Sequence, residues 1–270
     1  MFCEKIVSLK NDKIYNNYEE FINNNSDYKN TNLYYIPNDQ FNSKNINYLS
    51  KTFMTIAIIK YIQTNFDINY IYEKYLKNNM CITQCGSSIT ILLLLSKKKF
   101  NFDELLLYIK DSNIYNVVIN FCNFIRKNYK LSDFYAEKLF IKIVELKNLN
   151  INVNYYRDFT DIDNLCDYIT YTCNHYFITN ISHIPMTINK SIVLDINIIN
   201  IKDENINKYC SKKRDNKLFS IIMNDNLRYL IDINILNIID NLNFIKLDYD
   251  VIPKQYEYCN ENKDYFMKLI

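Results

Sequence analysis

The residues best able to do chemistry in this 270-residue chain are a cysteine, two histidines and an aspartate. Cys85 is followed directly by Gly86, the only glycine in the sequence, then by Ser87, Ser88 and the apolar run ITILLLL. A glycine kept in such a composition marks backbone with no room for a Cβ, or backbone that another group must approach. A thiol of ordinary pKa, ~8.5, is mostly protonated at neutral pH; a helix N-terminus and a nearby imidazolium stabilise its thiolate. Helix-terminal N–H groups also point where an oxyanion develops during attack on a carbonyl. Cys85 at the start of a buried, all-round apolar helix therefore reads as a nucleophile. On the local motif alone, a sheltered thiol at a turn reads equally well.

A cysteine nucleophile needs a base, and the chain offers only His175 and His183, both in its second half. Asp195 closes the apolar run SIVLD, the end of an expected strand. There it can accept a hydrogen bond from an imidazole and fix its tautomer. The spacing admits either histidine.

The elements that must hold these residues follow from periodicity. Residues 1–30 are polar and Asn-rich and read as an extension with little core of its own. Amphipathic helices are expected over 44–63 and 68–78. A loop then leads to a buried helix over about 86–97, and a further helix opens at Asp103 with Asn101 as N-cap. Residues 117–129 and 131–146 read as two more helices, the second capped by Ser132. The segments 150–156, 175–181, 183–189, 190–198 and 217–224 are short and β-branched and read as an antiparallel sheet, with a short helix at 161–172. The tail, 225–270, reads as mostly helical. The expected class is α+β, an N-terminal helical half with a central nucleophile-bearing helix packed on a C-terminal antiparallel sheet. The divisions follow: an extension over 1–30, a catalytic domain over 31–224 and a second extension over 225–270.

A formal charge of +2 gives no electrostatic footprint for nucleic acid or an anionic membrane, so neither is expected as a partner. The basic clusters at 97–99 and 212–214 read as solvated turns. ITILLLL is far too short to span a bilayer, and MFCEKIVSLKNDK lacks the apolar stretch of a signal peptide. The eight cysteines form no CxxC pair, and no metal or cofactor is expected. Free thiols in a reducing, cytoplasmic compartment are the default.

The stretch CGSSITILLLLSKKKFNFDELLLYI resembles the nucleophile segment of papain-like cysteine peptidases, nearest to bacteriocin-processing peptidases and phytochelatin synthases. The later NINVNYYRDFTDIDNLCDYI, HYFITNIS and HIPMTINKSIVLDINI is similar in arrangement to phytochelatin synthases. The likeness spans about 31–224 and is specific around Cys85 and 175–197. It implies a papain-like fold with Cys85 as nucleophile, His183 as general base and acid with His175 as its rival, and Asp195 as orienter. The family's glutamine six residues ahead of the nucleophile is matched by Asn79, while Gln84 adjoins the cysteine. Asn79 or Gln84 is thus the implied oxyanion donor. The family's glycines after the histidine are missing, and Ile198 stands where phytochelatin synthases carry an arginine. The implied activity is that of a cysteine peptidase or acyl transferase working through a thioester on Cys85, with a peptide or glutathione-like substrate. Two other readings stand beside it: a papain-like domain that binds a partner without turnover, and a helical interaction protein.

Overall fold

The computed structural model describes residues 3–36, 48–110, 112, 116–173, 186–194, 206, 208–211, 216–222 and 251–269. The chain opens with strands β1 (Cys3–Ser8) and β2 (Lys13–Tyr15), helix α1 (Tyr18–Asn24) and strand β3 (Asn32–Ile36). Helix α2 (Tyr48–Asn65) and the single turn α3 (Ile68–Ile71) lead to β4 (Asn79–Thr83) and α4 (Gly86–Leu94). Next come α5 (Phe102–Ile109), α6 (Val117–Asn128), β5 (Leu139–Lys147), β6 (Asn150–Arg157) and α7 (Ile162–Thr172). A hairpin of β7 (Thr187–Ile188) and β8 (Ser191–Leu194) follows, then helices at Lys217–Ile222, Val251–Glu261 and Lys263–Leu269. Among the described residues no helix is long and apolar enough to cross a membrane.

The strands form one mixed sheet in the order β2-β1-β6-β5-β4-β3. It is parallel where β1 meets β6, β4 meets β5 and β3 meets β4, and antiparallel at the remaining pairings. The class is therefore mixed α and β. Four of the strands come from the first 83 residues, so helices and strands interleave along the chain where they were expected to segregate. On one face lies the larger core, formed by α2 and α4 through α7. On the other, α1 packs through Phe21 against Ile6, Phe140, Val153 and Tyr155.

Three sequence expectations are corrected here. Residues 1–30 carry core: β1 runs inside the sheet beside β6, Ile6 and Phe21 are buried, and Asn17 caps α1 by accepting from the Glu20 N–H. Arg157 locks this region. Its guanidinium is 1% exposed, lies 4.5 Å from the ring centroids of Phe21 and Tyr28 and 4.7 Å from that of Phe140, and pairs with Asp158. Few apolar residues are needed when a strand borrows its hydrogen bonds and its covering from neighbours. Second, the expected helix over 131–146 is two short 3-10 turns followed by β5. A central strand covered on both faces reads as a nearly continuous apolar run, which periodicity cannot tell from a buried helix. Third, Lys217–Ile222 is a helix where a last core strand was expected. The other helices fall as expected. Asn101 caps α5 by accepting from the Glu104 N–H, and α6, α7 and β6 occupy their anticipated stretches.

Candidate active site

Cys85 sits where β4 gives way to α4. The run MCIT is a buried parallel strand, not the loop expected from sequence, and its C-terminal residue Thr83 pairs with Ile141 of β5. Thr83 is tied to both neighbours: its hydroxyl donates to the Phe140 carbonyl (3.1 Å) and accepts from Ser88 (3.0 Å). Two residues later the chain turns sharply and all nine residues of α4 are buried, which makes it the central helix anticipated from the sequence. Each fully buried Leu or Ile contributes about 1.5–3 kcal/mol, so the corner is held by a rigid element.

The turn is made by Cys85 itself, with φ 51° and ψ −132°. That combination is unfavourable for any residue with a Cβ, costing about 1–3 kcal/mol, and persists only where the surroundings impose it. Gly86 does not have a positive φ. The lone glycine thus supplies space at the buried first turn of α4, and the strain is carried by the cysteine. Among the described residues the other positive-φ positions are Asp12, Asn148, Leu149, Asp158, Asn189 and Lys190. Of these Asp158, between β6 and α7, also follows a strand and precedes a helix, but three residues separate it from that helix, whereas Cys85 adjoins α4. A nucleophile on a strained strand-to-helix turn is a recurring catalytic device, because it lifts the side chain off the sheet while the next N–H faces the reacting atom.

The backbone donors at the corner can be accounted for one by one. Gln84 N–H donates to Ser87 Oγ (3.0 Å), and Cys85 N–H donates to Thr172 Oγ1 (3.0 Å). Ser87 and Ser88 N–H groups return to the carbonyls of Gln84 (3.3 Å) and Cys85 (2.9 Å). Gly86 N–H has no acceptor among the described residues. One amide next to the cysteine is therefore left unused by the described residues. Cys85 is 2% exposed, so a substrate must displace what covers the thiol.

Asn79 and Gln84 are separated by the length of β4. Asn79 lies at the far end of the strand; its amide accepts from Asn32 (3.0 Å) and donates to the Tyr75 carbonyl. The structure does not bring it to Cys85, and the oxyanion role implied for it is not supported by its position. Gln84 adjoins the cysteine, with Oε1 accepting from the Tyr35 hydroxyl at 2.8 Å.

His175, His183 and Asp195 lie outside the described residues. The elements flanking them are described. Thr172, whose hydroxyl holds the Cys85 N–H and donates to the Lys142 carbonyl (2.8 Å), stands three residues before His175. Leu194, the residue before Asp195, pairs with Val144 on the edge of β5 that also carries β4. Its rung is three positions from that of Thr83, roughly 10 Å along the strand.

Thr172, Tyr35 and Lys142 were not found from sequence. Thr172 meets Cys85 across 87 residues, and nothing local announces it. Lys142 did leave a signal, a cation inside the apolar run LFIKIVEL, within the stretch 131–146 that reads as a helix. No protein-family model matches this sequence, and comparisons with curated proteins and with solved structures found no match.

Proposed function

We propose that this chain is a thiol acyl-transfer enzyme, a cysteine peptidase or peptidyl transferase, in which Cys85 attacks the amide carbonyl of a peptide. The observation that carries the reading is the φ 51°, ψ −132° backbone of Cys85 between a parallel strand and a fully buried helix. The tetrahedral oxyanion is taken by the Gly86 N–H at the positive end of α4. An imidazole protonates the leaving amine, and water or a second amine resolves the thioester. The helix-borne Cys-Gly supports the papain-like form of the reading; the strand feeding it is a departure from that form. The base in this reading is His183, with His175 as its rival, and Asp195 is its orienter, as the resemblance implies. Peptides, including γ-glutamyl ones such as glutathione, are the substrate class.

The test is acylation by a thiol-directed activity probe, followed by mass spectrometry of the adduct. Wild type is expected to carry one adduct, on Cys85, that is absent in Cys85→Ser and lost in whichever of His175→Ala and His183→Ala removes the base. Wild type labelling no faster than Cys85→Ser would overturn the reading. The second reading, a related domain that binds a partner without turnover, is favoured by the 2% exposure of Cys85. It predicts that no acyl donor forms a covalent adduct there.

A further inference from the structure

Gln84 is 8% exposed, and its amide orientation is set from outside. Lys142, buried at 2% exposure in the middle of β5, brings Nζ to within 3.4 Å of the Tyr35 hydroxyl and 5.5 Å of its ring. An ammonium group can only donate, so the phenolic oxygen accepts from Lys142. Its proton goes to Gln84 Oε1 at 2.8 Å. The direction of that relay leaves Gln84 presenting Nε2 as a donor, for which no acceptor occurs among the described residues. Lys142 also reaches the corner from its backbone: its carbonyl accepts from Thr172, which holds the Cys85 N–H. A buried cation and a partly buried phenol together fix an amide one residue from the strained thiol. Burial of a lysine costs several kcal/mol unless its charge is used.

We propose that Tyr35 and Lys142 are positioning residues for acyl transfer: they hold the Gln84 amide so that Nε2, with the Gly86 N–H, receives the carbonyl oxygen of the substrate as it becomes an oxyanion. This rests on the reading of Cys85 as an acyl-transfer nucleophile and adds the second donor and its supports. In the step, the thiolate sulfur forms a bond to the carbonyl carbon, the C=O π pair moves onto oxygen, and the two donors take that charge. When the pair returns, the C–N bond breaks, the amine leaves carrying a proton from the imidazolium of the proposed base, and the thioester remains.

Two small reagents separate this role from a structural one. p-Nitrophenyl acetate acylates through a tetrahedral oxyanion, whereas iodoacetamide alkylates by direct displacement and develops none. Tyr35→Phe removes one hydroxyl, and Gln84→Glu keeps the acceptor while deleting the donor. Acetylation of Cys85 is expected to fall about 100-fold in Gln84→Glu, the usual loss on removing an oxyanion donor, and about 10-fold in Tyr35→Phe and Lys142→Met. Alkylation is expected to hold within about 2-fold, and the Gln84→Glu, Tyr35→Phe double variant to lose no more than Gln84→Glu alone, since both act on one donor. Equal slowing of both reagents would make the relay structural only and overturn the proposal, as would unchanged acetylation. If wild-type Cys85 acetylates no faster than the strand thiol Cys81, the nucleophile reading itself fails, and this inference with it.

Discussion

The corner at Cys85 and the interface between α6 and α7 both bury thiols, and they do so in opposite ways. At the interface Cys122 and Cys166 sit in regular helices, 0% exposed. Each sulfur lies beside the other residue's carbonyl (3.5 and 3.7 Å), and the Thr170 hydroxyl is 3.5 Å from Cys122 Sγ. The hydrogen bond from Cys166 lowers the Cys122 thiol below its ordinary pKa, helped by Thr170 and Arg126. The same bond, with burial, pushes Cys166 up. Acidity is thus available at a site with no backbone strain and no amide aimed at an incoming oxygen. What distinguishes Cys85 is the strained turn and the donors around it. A nucleophile is made by its surroundings more than by its own proton.

The comparison breaks most visibly in labelling. In the native protein an acyl donor such as p-nitrophenyl acetate is expected to modify Cys85 about 100-fold faster than Cys122 if the proposed oxyanion donors act there, since Cys122 lies within a regular helix whose N–H groups are already used. Peptide mapping of the acetylated thiols measures the ratio; Cys122 reacting as fast would show that thiolate character alone decides.

Helix α7 allows the two regions to be weighed on one element, since Thr172 serves the corner and Thr170 the thiol pair. Thr172→Val removes a buried hydroxyl that accepts from the Cys85 N–H and donates to the Lys142 carbonyl. It should destabilise by about 1–3 kcal/mol in urea unfolding. Thr170→Val removes a hydroxyl that otherwise bonds its own helix, to the Cys166 carbonyl (2.9 Å), and should cost under about 1 kcal/mol. A reversed order would mean that the corner is not held from α7.

Cys259, in the helix Val251–Glu261, gives the baseline for burial without strain or a partner thiol. Desolvation raises its pKa from 9.0 to about 11, against a weak opposing contact from Gln255. Its folded pKa is raised, so its contribution is full below about pH 9 and is lost as pH climbs through 11. Stability should fall over that window by about 2 kcal/mol more in wild type than in Cys259→Ala. Urea midpoints taken at pH 8 and 11 test this, and parallel profiles for the two proteins would contradict it.

The sequence carried the local part of this structure and missed the long-range part. The caps and amphipathic stripes of α5, α6 and α7 are written within a dozen residues each, and Cys85-Gly86 before an apolar run marked the corner. β5 was lost because burial on both faces erases alternation, and β1 because its stability lies in β6, some 150 residues away. The placement of Gln84 depends on Tyr35 and Lys142, 107 residues apart, and no window of sequence contains both. The partners expected for Cys85, His175 or His183 with Asp195, fall outside the described residues. Cys173, Met186 and Leu194 are the described residues nearest to His175, His183 and Asp195 in the chain.

The finest discrimination concerns the strain itself. In a regular helix glycine is less stable than alanine by about 1 kcal/mol, because it surrenders more backbone freedom on folding. Cys166 lies mid-helix in α7, so Cys166→Gly should unfold more readily than Cys166→Ala by that margin. At Cys85 the order should invert. Both replacements lose the sulfur, but only alanine keeps a Cβ at φ 51°, ψ −132°, so Cys85→Gly should be the more stable by about 1 kcal/mol. Neither variant can form a thioester, so the stability difference is read without activity. If glycine is the less stable residue at both positions, the corner is unstrained and Cys85 is an ordinary buried thiol. If the order inverts at Cys85 alone, the backbone at the corner disfavours a Cβ, and the cysteine is held there against that strain.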